Sequence, residues 1–401
     1  MAKSNYPLRS SISIHDSLKK ALNIAVNART LLPGVKEGIP RYIHETTSRL
    51  VLNNPQHAFY FFFDRPFDQK YVYADNVKPI VVSPQARHPI LWKVWFDFQL
   101  PRYFDKYNID VFYSGESYLS MKTDVPTLMV THDLAYEHFS DQLPKSQVNY
   151  YRKNSKRFHN RANHIIAVSN FTKEDIIKMY NMSRDGITVA GNACPPGFTQ
   201  IDKDQKKEIQ RKYTDGNPYF MYLGSIHPRK NVESLLKAFD VFKQNDTGNH
   251  KLFIVGRLAW NTTKFITALE NHTYKADIIH LENVGQEVNT ILAGAEALVY
   301  ISLFEGFGIP ILEAMSCSIP VITSIDSSMS EISDGAAIEV NPTDINAISK
   351  AMHQLVEKPK LREELILKGK ERVKFYSWDR SVKIIEKKLL DLGYSKLKNH
   401  S

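Results

Sequence analysis

Cysteine is scarce in this chain: Cys194 and Cys317 are the only two among 401 residues. So low a count excludes a disulfide-stapled scaffold and a four-cysteine zinc site, and it predicts a protein of a reducing compartment. Long apolar runs are missing as well. No stretch approaches the ~20 consecutive apolar residues that span a bilayer, and the opening Met1-Ala-Lys-Ser-Asn-Tyr-Pro7 has no apolar signal core. The expected location is therefore cytoplasmic. Several catalytic signatures are absent too. His44-Glu45-Thr-Thr-Ser48 lacks the second histidine of a helical zinc-protease site, and neither a phosphate-loop lysine motif nor a Gly-x-Ser-x-Gly elbow occurs. There is no nucleic-acid-binding motif, internal repeat or low-complexity tract.

Acidic residues are short in one half only. Residues 1–200 carry 25 Lys and Arg against 17 Asp and Glu, whereas residues 201–401 carry 27 against 26, so nearly all of the net charge of +9 lies in the first half. A basic first half suits an anionic membrane surface or a phosphate-bearing substrate. Its densest cluster is Arg152, Lys153, Lys156, Arg157 and Arg161, whose spacing makes stripes along a helix that are, by default, solvated. Trp92, Trp95, Phe96, Phe98, Tyr103 and Phe104 concentrate aromatic surface nearby, and their helical spacing favours core packing over membrane insertion.

From Tyr219 onward, short apolar runs alternate with amphipathic stretches. Strands are expected at 219–223, 252–255, 278–281, 297–301, 320–323 and 337–340. Helices lie between them, one carrying Val232, Leu235, Leu236 and Phe239 with Asn231 as its cap, another opening at Asn341-Pro342. The first half repeats the theme less regularly, with strands at 22–26, 59–63, 80–82, 110–113, 127–130 and 165–168. Strict alternation argues for two parallel, doubly wound α/β domains. Cys194-Pro-Pro-Gly-Phe198 and the charged run from Asp202 to Lys212 read as a linker, which divides the chain at residues 197 and 198 across a cleft. Within that run Asp202-Lys-Asp204 follows no apolar strand and reads as solvated rather than metal-binding.

The most specific pattern is Glu305-Gly-Phe-Gly-Ile-Pro-Ile-Leu-Glu313, directly after the apolar run Ala297–Ser302. It reads as strand, tight turn and helix, with Pro310 at the helix start and Glu313 in its first turn. Gly306 and Gly308 let backbone approach a ligand, while the helix N–H groups after Phe307 and Ile309 form an anion-binding corner. Carboxylates at Glu305 and Glu313 accept hydrogen bonds from sugar hydroxyls. Together these residues predict a nucleotide-sugar site.

Tyr222-Leu-Gly-Ser-Ile-His-Pro-Arg-Lys-Asn231 ends another strand and opens a helix. Gly224 supplies the turn. Arg229 and Lys230 sit where cations oppose the helix dipole, an arrangement that an incoming diphosphate would relieve. Arg257 follows the next strand. In the first half His132 ends a strand, with Asp133 beside it, and Glu37-Gly38-Ile-Pro-Arg41 is a further cleft element whose glycine admits an acceptor.

On these residues the chain resembles the retaining glycosyltransferases of family 4, which have the GT-B fold of two Rossmann-like domains. Glu305 and Glu313 resemble the family's paired-glutamate signature, Gly224 to Asn231 its donor diphosphate loop, Thr131-His-Asp-Leu134 its active-site histidine, and Val168-Ser-Asn-Phe-Thr-Lys173 a segment of its acceptor lobe. The resemblance implies an acceptor domain (1–197), a donor domain (198–376) and a final helix (377–401) crossing back to the first. Glu313 would bind ribose hydroxyls and Glu305 the transferred sugar. Arg229, Lys230 and Arg257 would neutralise the leaving diphosphate, helped by the backbone around Gly306, Phe307, Gly308 and Ile309. His132 would hold a sugar hydroxyl, with Gly38 and Asp133 on the acceptor side. One departure is Ser225, where many members have arginine, which shifts phosphate binding onto the other cations.

The implied reaction moves a hexose, first mannose from GDP-mannose, to a glycan or lipid-linked acceptor in surface-polysaccharide synthesis. It proceeds with retention and with neither metal nor cofactor, on a protein peripheral to the inner membrane face. A UDP-sugar donor is the second choice. The competing class is a nucleotide-sugar epimerase of the same fold, which needs further cleft acids such as Asp133 or Glu116.

Overall fold

The computed structural model describes residues 20–34, 38–142 and 145–398. Two parallel sheets account for all thirteen strands named here. The first runs in the order β3-β2-β1-β4-β5-β6-β7, from β1 (Asn23–Asn27), β2 (Ala58–Phe63), β3 (Val77–Val81), β4 (Val111–Ser114), β5 (Thr127–Thr131), β6 (His164–Ala167) and β7 (Ile187–Val189). The second runs β10-β9-β8-β11-β12-β13, from β8 (Tyr219–Leu223), β9 (Lys251–Val255), β10 (Ile278–Leu281), β11 (Ala297–Tyr300), β12 (Val321–Ser324) and β13 (Ile338–Val340). The central strands are apolar without alternation because helices cover both faces. Phe220, Met221, Leu298 and Val299, for example, are all fully buried.

The strand order reverses between β1 and β4 in one sheet and between β8 and β11 in the other. In the second sheet Ala297 pairs with Phe220 and Leu298 with Met221, so the loops after β8 and β11 emerge side by side. Such a reversal opens a crevice at the carboxyl ends of the strands.

The final helix, Trp378–Lys398, packs on the first sheet rather than the second. Arg49 pairs with Asp379 at 3.0 Å, Asn54 donates to Glu386 at 3.0 Å, and Lys396 donates to the Ile109 carbonyl at 2.8 Å. Gly393 is needed at this crossing, since a Cβ there would lie 2.7 Å from Leu22.

Four local expectations are corrected. The run taken for a linker is the helix Lys203–Thr214, capped by Asp202, which accepts from Asp204 N (2.9 Å) and Gln205 N (2.8 Å) while Gln205 returns the bond to Asp202 N. This capping box, and not linker solvation, explains Asp202-Lys-Asp204. Asn231 is no side-chain cap. It adopts φ 59°, and its amide instead donates to the carbonyls of Ile301 (3.1 Å) and Pro342 (2.7 Å). The helix expected at Asn341 starts at Ile345, with Asp344 accepting from Ala347 N at 2.9 Å. Strand β7, at the edge of the first sheet, has Thr188 at its centre and is only partly buried, so no apolar run marks it. Of the aromatic run, Trp92, Trp95, Phe96 and Phe104 are core, whereas Phe98 is 49 % exposed.

Candidate active site

The loops at the second sheet's reversal bring together a buried ionic cluster. Gly224 leaves β8 at φ 147° and lies against Gly256, where a Cβ would fall 1.8 Å from the Gly224 carbonyl oxygen. Only glycine at 256 lets these two loops touch. The chain then turns through Pro228–Lys230, which points Arg229 and Lys230 toward the end of β11. There Lys230 Nζ donates to Glu305 Oε1 and to Tyr300 Oη (2.8 Å), and Tyr300 Oη donates to the same carboxylate at 3.0 Å. Arg229 donates to the Phe304 carbonyl at 2.6 Å and lies 3.4 Å from Glu305 Oε2.

The expected conflict between two cations and a helix N-terminus is thus already relieved by Glu305. Burial works against the carboxylate's charge, but Lys230 and then Arg229 hold its pKa down at about 2. Arg229 is raised: burial lowers it, and Glu305 and Asp133 more than compensate. Lys230 is lowered, because burial and the neighbouring Arg229 outweigh its one carboxylate partner.

The glycine turn has three different constraints. Gly306 faces the other lobe so closely that a Cβ would lie 1.6 Å from the His132 carbonyl oxygen. Phe307 is buried and meets Tyr376 edge-on at 5.3 Å. Gly308, at φ 97°, precedes the helix Ile309–Ser316, in which Pro310 occupies the first turn. Glu313 falls in the second turn, not the first. It is half-buried and near enough to Cys194 and Cys317 to act on both thiols, which burial pushes up to about 12. Glu305 and Glu313 thus have separate surroundings. Arg257 is exposed, and its backbone carbonyl accepts from Ile226 N at 2.9 Å.

In the first lobe His132 follows β5. Its Nε2 is 2.8 Å from the Gly115 carbonyl, which assigns the proton to Nε2 and leaves Nδ1 as an acceptor. Burial lowers its pKa, so the ring is neutral. Tyr42 packs edge-on to it at 4.9 Å, from the helix Gly38–Asn53. Gly38 begins that helix at φ 56°, exposed and open around its α-carbon, and Glu37 lies outside the described residues. Asp133 does two things. Oδ1 accepts from Ala135 N at 3.0 Å, and Oδ2 reaches across to Arg229 at 3.7 Å. Glu116 is committed elsewhere, in a buried ion pair with Arg29 at 2.7 Å and a bond from Asn27 at 2.8 Å.

Sequence reasoning missed Tyr300 and Phe304, and it gave Ser169 and Thr172, named only within the segment Val168 to Lys173, no role at Gly306. The signal for Tyr300 was a polar-tipped aromatic at the last position of an otherwise apolar strand. Contacts between lobes left no local pattern to find.

Comparison with known proteins places the fold and the family. Residues 37–197 match the model of Glycosyltransferase Family 4, and residues 202–372 match that of glycosyl transferases group 1. The O-antigen chain mannosyltransferase B of Escherichia coli is 29% identical over 272 residues, spanning 67% of this chain and 71% of that protein. The O-antigen chain mannosyltransferase RfbU of Salmonella typhimurium is 29% identical over 317 residues, 76% of this chain and 80% of that one. Among solved structures, a sucrose-phosphate synthase from Thermosynechococcus elongatus superposes with a TM-score of 0.72 at 16% identity, covering 95% of this chain and all of the other. WaaG, a glycosyltransferase of lipopolysaccharide biosynthesis, gives 0.69 at 15% identity over 92% of this chain and 99% of its own. These two define the fold as GT-B.

Proposed function

The chain belongs to glycosyltransferase family 4, and from that premise we propose that it transfers mannose from GDP-mannose, with retention and without a metal, to a glycan or lipid-linked acceptor of a surface polysaccharide. The observation that carries the reading is the buried Glu305, Lys230 and Arg229 cluster at the sheet's reversal. It offers a carboxylate for sugar hydroxyls and two cations for a diphosphate within one set of contacts. The choice of mannose follows two relatives that are O-antigen mannosyltransferases.

On donor binding, Lys230 and Arg229 divide their charge between Glu305 and the diphosphate, and amides from Gly306 to Ile309 add to the phosphate side. Glu313 binds the ribose. The bond from the sugar C1 to the phosphate oxygen breaks as the acceptor oxygen bonds to C1 on the same face, and the departing phosphate takes the acceptor proton. His132 Nδ1 accepts from a sugar hydroxyl. Gly38 and Asp133 line the acceptor side, and Arg257, being exposed, contributes only long-range charge.

Membrane attachment belongs to the same proposal. Arg152, Lys153, Lys156 and Arg157 are exposed on the helix Lys145–Arg161, whose other face buries Ser155, Phe158 and His159. Among the described residues no helix is long and apolar enough to cross a membrane. Binding to anionic-lipid vesicles no better than to neutral ones would remove this part.

The decisive test is a donor panel of GDP-mannose and UDP-sugars, read by thermal shift and slow donor hydrolysis with and without EDTA. GDP-mannose should give the largest shift and a signal indifferent to EDTA. Preference for a UDP-sugar overturns the donor, and loss of signal in EDTA overturns the metal-free step.

A further inference from the structure

We infer that Glu305 is positioned by the opposite lobe, through a clamp that holds the residues on both sides of it; this rests on the proposed role of Glu305 in sugar binding. Phe304 projects from the second lobe into an aromatic pocket of the first. Its ring lies 4.8 Å from His138, 5.4 Å from Phe171 and 5.9 Å from Phe139, centroid to centroid. On the other side, the Gly306 carbonyl accepts from Ser169 Oγ at 2.6 Å and Thr172 Oγ1 at 3.1 Å. Glu305, between them, turns back toward Lys230, Arg229 and Tyr300 of its own lobe. Its carbonyl accepts from Ser328 Oγ at 2.6 Å.

The clamp is itself braced. Glu331, from the second lobe, accepts from Asn170 N and Phe171 N, both at 2.8 Å, at the start of the helix Asn170–Tyr180. Arg372 donates to the Glu331 carbonyl at 2.7 Å and the Ile332 carbonyl at 2.9 Å, fixing the segment that carries the brace. Phe171 and Ser169 are thereby held from both lobes. Phe304 also acts on the cations directly, because its carbonyl receives Arg229. When the lobes meet, ring insertion and the two hydroxyl bonds fix the backbone from 304 to 306. Glu305 and Arg229 are then set together. Phe304, Ser169 and Thr172 are positioning residues, and the donor lobe alone holds nucleotide without a completed sugar site.

The test uses the full-length protein and three variants: Phe304→Leu, the double Ser169→Ala with Thr172→Val, and Phe304→Tyr as the conservative control. Hydrogen exchange in the free protein should rise over residues 303–308 in the first two and remain slow in the third. GDP affinity by calorimetry should fall by no more than about threefold, since Lys230 and Glu313 are left in place, while kcat and kcat/KM with GDP-mannose fall together by about 100-fold, the scale of a small misplacement of a reacting group. Phe304→Tyr should restore turnover. Unchanged exchange overturns the clamp. Faster exchange with unchanged kcat, or GDP affinity falling in step with kcat, overturns its positioning role. Failure of wild-type protein to use GDP-mannose counts against the donor assignment alone, since exchange is read without donor.

Discussion

At the reversal point of each sheet a cation from the loop after one central strand meets a glutamate from the loop after its neighbour. In the first lobe Arg29 follows β1 and Glu116 follows β4; in the second, Lys230 follows β8 and Glu305 follows β11. The first pair is closed. Arg29 gives three nitrogen donors to Glu116 and the Ala86 carbonyl, and its guanidinium lies 5.4 Å from the Tyr118 ring centre. The second is shared between lobes: Lys230 and Arg229 both meet Glu305, Arg229 also reaches Asp133 of the first lobe at 3.7 Å, and the neighbours are glycine turns. The same topological position therefore holds a pair closed within one lobe and, in the other, a cluster that reaches across to the opposite lobe and that the proposed function uses for ligand binding.

The largest effect expected from testing this contrast is on Glu305→Gln. Removing the carboxylate leaves Lys230 with Tyr300 alone and Arg229 with the Phe304 carbonyl and the more distant Asp133, and kcat should fall about 10³-fold, the upper range for losing one preorganised electrostatic group. Because a diphosphate supplies the missing anion, GDP should raise the melting temperature of this variant more than that of wild type. Equal shifts would break the contrast. Arg29→Met should instead lower the unfolding free energy in urea by about 3 kcal/mol, leaving turnover of the folded protein near wild type; lost turnover at unchanged stability would reverse the comparison.

A smaller effect concerns pH, where the lobes should behave alike. His159 of the first lobe donates Nδ1–H to the Ser155 carbonyl at 2.8 Å and accepts from Thr131 Oγ1 at 3.0 Å, and burial lowers its pKa from 6.5 to about 4. His227 of the second, stacked on Trp260 at 4.4 Å, is lowered to about 3 by burial and then by Arg229 and Lys230. Each folded pKa lies below its unfolded value, so the unfolded chain binds protons first as pH falls. The stabilisation is complete above pH 6.5 and is lost on descending to 4 for His159 and 3 for His227. His159→Gln should flatten the upper part of that acid limb by roughly 2–3 kcal/mol, measured as urea stability between pH 7 and pH 4. An unaltered limb would show that His159 is not held neutral.

Both sheets were legible because buried parallel strands are continuous apolar runs, and only β7, a partly buried edge strand with Thr188 at its centre, escaped. The donor half of the site was legible for a related reason. Gly224, Arg229, Lys230, Glu305 and Gly306 lie on two short loops directly after two central strands, so local spacing carries them. Helix starts were less so: Asp202 and Asp344 are caps, and Asn231, which has a cap's composition, is used to tie two carbonyls together. Glu116 looked like a spare acid because its partner Arg29 is 87 residues away.

The residue pattern by itself determined two doubly wound domains, the family, and which two loops carry Arg229, Lys230 and Glu305, since each follows from short-range order along the chain. Tertiary structure alone decided which charges are already paired, that Glu305 and Glu313 face different surroundings, and that Phe304 and Gly306 are held by Phe171, Ser169 and Thr172. The charge pairs join residues 75 to 87 positions apart within a lobe, and the contacts on Phe304 and Gly306 join residues more than a hundred apart, fixed only where the lobes meet.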